Sequence, residues 1–124
     1  MKLVLDTSIL IDHLRGGDKW KKILKTLEEE AEFFIPTIVF FELYSGKSSQ
    51  DPKTSHRILN LVNAFQRIEL NEKIATRAGQ IYRDINKTLE VPDYIIAASA
   101  LELGATVLTL NRKHFEQIPH LGLY

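Results

Sequence analysis

Short apolar runs alternate along the chain with longer segments in which apolar residues recur every three or four positions. The short runs predict strands at KLVL (2–5), EFFIP (32–36), RIEL (67–70) and ATVLTL (105–110), with a last extended segment at the end of the chain. The longer segments predict helices, whose ends are marked by glycine, proline and capping residues, at 7–17, 19–30, 37–46, 52–65, 72–89, 90–104 and 112–118. Because strands alternate with helices, we expect an α/β fold: a three-layer α/β/α sandwich with a central, mostly parallel sheet of four or five strands.

The helix predicted after Asn71 has the clearest periodicity. Asn71 is expected to cap it. Its apolar positions follow helical spacing and predict a buried stripe made of Ile74, Ala78, Ile81, Tyr82, Ile85 and Leu89.

Composition narrows the class of protein. The 124 residues are enough for one domain, which we expect to span residues 1–124. Sixteen basic and sixteen acidic residues cancel, so a nucleic-acid site would have to be a local patch. With no cysteine, any metal ligands must be oxygen or imidazole. The sequence shows neither a signal peptide nor an apolar run of the roughly 18 residues that cross a bilayer, so we expect a cytoplasmic protein without membrane association.

Several polar residues lie where the predicted fold would bring them together. Asp6 and Asn111 each follow a predicted strand, and the carboxyl ends of parallel strands share one edge of the sheet. Glu42 and Asp93 lie in the apolar segments IVFFELY and VPDYIIAASAL, which should be buried. Buried carboxylates are costly unless they are paired, hydrogen-bonded or bound to a cation. Oxygen ligands of this kind suit Mg²⁺ or Mn²⁺.

Each of these residues also has a purely structural explanation. Asp6 is placed to cap the helix that follows it, and Asp93 to favour the positive end of its own helix. Asn111 is placed to cap the segment 112–118, which for a single asparagine is the more common role. Glu42 has no capping role, although it can still reach solvent at the polar edge of its helix. The residues taken singly leave both explanations open.

The order of three segments adds information. LVLDTSILID (3–12), IPTIVFFELYSG (35–46) and VPDYIIAASALELGATVLTLNRKHF (91–115) together resemble the PIN domain, and within it the VapC-type toxin ribonucleases of toxin–antitoxin pairs. The resemblance spans nearly the whole chain and matches Asp6, Glu42 and Asp93 to acidic positions of the family. The family's fourth acidic position falls on Asn111, whose amide oxygen can ligate a cation without adding negative charge.

The resemblance implies a metal-dependent endoribonuclease that uses Mg²⁺ or Mn²⁺, with Asp6, Asp93 and Glu42 as metal ligands, Glu42 either directly or through water. Thr7 and Ser8 match polar residues that follow the family's first aspartate, and are expected to orient a carboxylate or a metal-bound water. The implied partners are an RNA substrate, a small antitoxin protein and a second copy of the chain in a homodimer.

Two alternatives remain open at this point. A phosphatase of the haloacid-dehalogenase type also begins with an aspartate after a strand, which would make Asp6 a nucleophile. Such enzymes carry a second aspartate two residues later, and here that position is Ser8. The other alternative is a non-catalytic PIN-like binding module, with which Asn111 is compatible.

Overall fold

The computed structural model describes residues 1–27, 30–85 and 89–124. Its strands are β1 (Lys2–Leu5), β2 (Glu32–Pro36), β3 (Gln66–Ile68), β4 (Thr106–Leu108) and β5 (Gly122–Leu123). Its α-helices are α1 (Thr7–Leu14), α2 (Lys19–Thr26), α3 (Ile38–Ser45), α4 (Pro52–Val62), α5 (Glu72–Asp84), α6 (Val91–Leu103) and α7 (Arg112–Phe115). In these ranges the longest helices have 13 residues, and none is long and apolar enough to cross a membrane.

The five strands form one sheet in the order β3-β2-β1-β4-β5, and every pair of neighbours is parallel. This confirms the predicted α/β architecture with a parallel sheet flanked by helices. The central strand β1 buries Leu3, Val4 and Leu5 completely. Helices cover both faces of such a sheet, which is why the strand has a continuous apolar run instead of an alternating one.

The strand order creates a crevice at the carboxyl ends of β1 and β4. From β1 the chain moves to β2 and β3 on one side, and it later returns to add β4 and β5 on the other side. The connections that follow β1 and β4 therefore diverge, and ligands of open parallel sheets bind at such a point. Residues just after Leu5 and Leu108 face this crevice.

Helix ends differ from the sequence prediction in several places. Helix α5 ends at Asp84, and the Tyr82 side chain is 53% exposed, so its place in the predicted buried stripe was wrong. Leu89 is buried but lies beyond α5, and residues 86–88 of the predicted helix lie outside the described residues. Helix α2 ends at Thr26, and residues 28 and 29 of its predicted extension are likewise not described. The Asn71 side chain caps α5 as predicted, accepting the N–H of Ile74 at 2.9 Å.

Candidate active site

Asp6 lies at the centre of the crevice. Its backbone N–H donates to the carbonyl of Leu108 at 3.0 Å, which fixes the end of β1 against β4. The residue occupies the N-cap position of α1, but its carboxylate makes no capping hydrogen bond. Instead Oδ2 accepts the hydroxyls of Ser8 and Thr109, both at 2.7 Å. The backbone of Asp6 thus begins the helix while its carboxylate, on a residue only 3% exposed, belongs to the crevice.

Thr109 is a site residue that the sequence did not single out. It is 7% exposed, and its hydroxyl both donates to Asp6 and accepts the N–H of Asn111 at 2.9 Å. The hydroxyl of Ser8 accepts the N–H of Leu110 at 3.0 Å. Hydroxyls therefore tie the segment after β4 to the start of α1. The sequence carries no local signal for this role, because the position of Thr109 beside Asp6 depends on the register of β1 and β4.

Glu42 reaches the crevice from α3. Its Oε1 accepts the hydroxyl of Thr7 at 2.6 Å, and Thr7 is only 4% exposed. Neighbouring hydroxyls at the start of α1 therefore position two carboxylates: Ser8 holds that of Asp6 and Thr7 holds that of Glu42. Burial raises the pKa of Glu42; the Thr7 hydrogen bond opposes this, while the charges of Asp6, Asp93 and Glu90 raise the pKa further.

Asp93 lies in the first turn of α6. Its Oδ2 accepts the N–H of Glu90 at 3.3 Å, so it also supports the start of the helix. Burial raises the pKa of Asp93, and the charges of Asp6 and Glu90 add to that rise. Two groups lower the pKa of Asp93: the Glu90 N–H, through its hydrogen bond, and the His114 ring, whose Nδ1 lies 4.0 Å from Oδ2. Asp93 therefore supports the start of α6 and also lies near the other acids of the crevice.

Comparison with known proteins identifies the family. A family model described as the PIN domain matches residues 3–121. The chain belongs to the PIN-domain family. This PIN domain is 32% identical over 122 residues to ribonuclease VapC19 of Mycobacterium tuberculosis, covering 98% of this chain and 97% of the relative. The family assignment leaves the phosphatase alternative without support.

Two solved structures have the same fold as this PIN domain. One is VapBC2 from Rickettsia felis bound to a DNA fragment from their promoter, with a TM-score of 0.86 and 24% identity over 100% of this chain and 98% of that one. The other is a toxin–antitoxin complex from Klebsiella pneumoniae, with a TM-score of 0.77 and 26% identity over 96% of this chain and 94% of that one. The resemblance to VapC-type proteins inferred from the sequence is thereby confirmed.

The acidic cluster of this PIN domain has the chemistry of a site for a hard cation. Each of Asp6, Glu42 and Asp93 lies within electrostatic reach of the others; burial raises the pKa of Glu42 and of Asp93, and the negative charges of neighbouring acids raise both further. In the described ranges, no group of three or more His, Cys, Asp or Glu side chains is arranged closely enough to hold a metal ion. Thr7 binds one oxygen of Glu42, and the Glu90 N–H binds one oxygen of Asp93.

Asn111 lies at the mouth of the crevice. It occupies the N-cap position of the short helix α7, yet its side chain makes no capping hydrogen bond. The capping role expected for it is therefore absent. The residue is exposed, and its backbone N–H, not its amide, is the group tied to Thr109. The side chain of Asn111 remains available to a ligand of this PIN domain.

Proposed function

We propose that this PIN domain is a metal-dependent endoribonuclease and the toxin of a toxin–antitoxin pair. The observation that carries the proposal is the cluster of Asp6, Glu42 and Asp93 at the switch point of the sheet, with raised pKa values for Glu42 and Asp93. Like charges held this close are stabilised by a divalent cation. The M. tuberculosis relative is named a ribonuclease, which supports RNA as the substrate class.

In this proposal Asp6 and Asp93 hold Mg²⁺ or Mn²⁺, with Glu42 a ligand through water and the amide oxygen of Asn111 beside them. A divalent cation bound there supplies a water of lowered pKa and stabilises negative charge on the leaving oxygen of the phosphodiester. Among the described residues, both donors to the Asp6 carboxylate bind Oδ2, which leaves Oδ1 for the cation. Ser8 and Thr109 therefore act by orienting Asp6.

In this proposal Glu42 is the general base that accepts the proton of the attacking water. Thr7 occupies Oε1, which leaves Oε2 to accept that proton. A raised pKa makes Glu42 a stronger base than an ordinary glutamate. The water oxygen bonds to phosphorus as one bridging P–O bond breaks, so no side-chain nucleophile is needed. This agrees with a sequence that contains no cysteine.

A cleavage assay on labelled single-stranded RNA tests the proposal. Wild-type protein should cut RNA in Mg²⁺ or Mn²⁺, and EDTA should abolish the cutting. Asp6→Asn and Asp93→Asn should be inactive while keeping the circular dichroism of the wild type. Asp84→Asn removes an exposed acid of α5 and serves as the matched control, with cleavage expected to persist. Cleavage unaffected by EDTA would rule out the metal mechanism, and metal-dependent RNA binding without cleavage would favour the non-catalytic module.

The toxin assignment also implies a protein partner. The Klebsiella neighbour is a toxin–antitoxin complex, which supports an antitoxin partner for this chain. We expect the product of an adjacent small reading frame to co-purify with this protein and to suppress its RNA cleavage. Co-purification without suppression would contradict an antitoxin role.

A groove between α5 and α6 supports the proposed homodimer. It has a volume of about 310 Å³. Three large apolar side chains on its lining are substantially exposed: Leu70 at 46%, Tyr82 at 53% and Val91 at 62%. Apolar surface of this kind is typical of a contact between subunits. Light scattering should give twice the mass of the chain.

A further inference from the structure

A second pocket, of about 280 Å³, adjoins the acidic cluster on the Glu42 side. Helices α1, α3 and α4 form it, and Glu42 belongs to both the cluster and the pocket lining. Its apolar floor is made of Ile11, Leu14, Leu43 and Ile58. This volume lies at the lower end of the range for small-ligand pockets, which begins at roughly 300 Å³, so the pocket can take at most a single nucleotide unit and not a folded RNA element.

Arg15 and Arg57 give the rim of this pocket its charge. Nη2 of Arg57 donates to the carbonyl of Leu14 at 2.7 Å, which holds the guanidinium at the end of α1. Neither arginine forms an ion pair with any acid in the described part of the chain. Ser48 and Thr54, which carry hydroxyl groups, also line the pocket. Arginines that form no close ion pair, set beside residues with hydroxyl groups, suit a phosphate group.

The opposite side of the cluster is basic as well. Arg112, Lys113 and His114 line a further pocket with Asn111, and the His114 ring lies 4.0 Å from Asp93. The acids thus lie between two basic sides, in a chain whose net charge is zero. Phosphates of an RNA strand are repelled by the acidic centre and attracted by the groups that flank it.

We propose that the Arg15–Arg57 pocket is a nucleotide subsite. It holds the nucleotide next to the scissile phosphate, with that nucleotide's phosphate on Arg15 and Arg57 and its base and ribose on the apolar floor. The inference rests on the proposed ribonuclease function and deepens it, because it assigns the groups that bind substrate outside the acidic cluster.

RNA binding tests the charge of the subsite. We would measure the affinity for a short fluorescein-labelled single-stranded RNA over a range of salt concentrations, in an Asp6→Asn background that prevents cleavage. Adding Arg15→Gln and Arg57→Gln should weaken binding several-fold and make the plot of log affinity against log salt shallower by about 0.7 for each lost phosphate contact. The matched control, Lys21→Gln with Lys25→Gln on exposed positions of α2, changes net charge equally and should keep the wild-type slope.

A second pair of variants tests the space within the subsite. Gly46 lines the pocket and has a φ of −70°, which any residue adopts, and an added Cβ would only meet Oγ of Ser48 at 3.9 Å and the Leu43 carbonyl at 4.0 Å. Gly46→Leu should fill the pocket and weaken RNA binding without changing the salt slope. Gly46→Ala should bind as the parent does.

The outcomes separate this inference from the proposed function. If the wild type cleaves RNA but the arginine pair behaves like the lysine pair and Gly46→Leu like Gly46→Ala, the subsite is refuted and the ribonuclease stands. If the wild type neither binds nor cleaves RNA, both proposals fail. Because Arg57 also bonds the Leu14 carbonyl, Arg15→Gln alone and the charge-conserving Arg57→Lys are measured too. Arg15→Gln should make the plot of log affinity against log salt shallower, and Arg57→Lys should keep most of the parent's slope.

Discussion

Thr109→Val tests whether Asp6 depends on the hydroxyls that hold it. The substitution keeps the shape of the side chain and removes one hydroxyl. That hydroxyl donates to the Asp6 carboxylate at 2.7 Å and accepts the Asn111 N–H at 2.9 Å. Thr109 is 7% exposed, so water replaces the first of these hydrogen bonds poorly. The exposed Asn111 can recover the second from solvent.

The expected loss of unfolding free energy is about 2 kcal/mol. The hydrogen bond to the charged Asp6 contributes about 1.5–3 kcal/mol. The neutral one from the Asn111 N–H contributes at the low end of about 0.5–1.5 kcal/mol, because solvent can replace it. Burying a methyl group in place of the hydroxyl returns about 0.8 kcal/mol. For 124 residues at an unfolding entropy of about 2.1 cal/mol/K each, the loss lowers Tm by about 8 °C.

Thermal and urea unfolding in EDTA measure this loss without a contribution from bound cations. Thr106→Val makes the same change on β4, where the threonine hydroxyl has no hydrogen-bond partner among the described residues, and should shift stability by less than about 0.5 kcal/mol. Equal losses in the two variants would refute the proposed dependence of Asp6 on Thr109. Ser8→Ala combined with Thr109→Val removes both donors to Oδ2 and should cost more than the two single changes together.

Three further outcomes follow from the structure. Glu42→Gln should raise the unfolding free energy of the cation-free protein, because only the ionised carboxylate carries the cost of burial. The gain should grow as pH rises through the raised folded-state pKa of Glu42, and urea titrations that show a loss of stability at neutral pH would contradict this. Tyr82→Glu should disrupt the proposed homodimer, so that light scattering gives the mass of one chain where the wild type gives twice that mass; an unchanged mass would exclude the α5–α6 groove as the interface. Gly104→Ala, at a φ of +68°, should cost about 1–2 kcal/mol in thermal unfolding, whereas Gly46→Ala, at −70°, should cost far less.

The acidic part of the site was predictable because two rules act together. Parallel strands bring their carboxyl ends to one edge, and a carboxylate inside an apolar segment needs a reason to be there. Asp6 follows the first rule and Glu42 and Asp93 follow the second, and the structure places the three within electrostatic reach of one another. Their roles as metal ligands stay a prediction.

The support of the site was not predictable in the same way. A threonine in a β-rich run is explained by its β-propensity alone. Its contact with Asp6 depends on the pairing of Leu5 with Leu108, which is set by tertiary structure. Tyr82 was predicted to be buried and is exposed. Helical spacing identified the helix, but it did not show which part of the apolar stripe other elements would cover.

The central position of β1 has a consequence for the protein during its synthesis. Asp6 leaves the ribosome 103 residues ahead of Thr109, the partner that holds its carboxylate. β1 can pair with β2 early, but its other edge waits for β4. Chains fold from the amino-terminal side as they are made, and non-local parallel pairing comes late. A nascent chain that stops before β4 therefore lacks Thr109, and the acidic crevice around Asp6 is complete only once the domain is almost fully made.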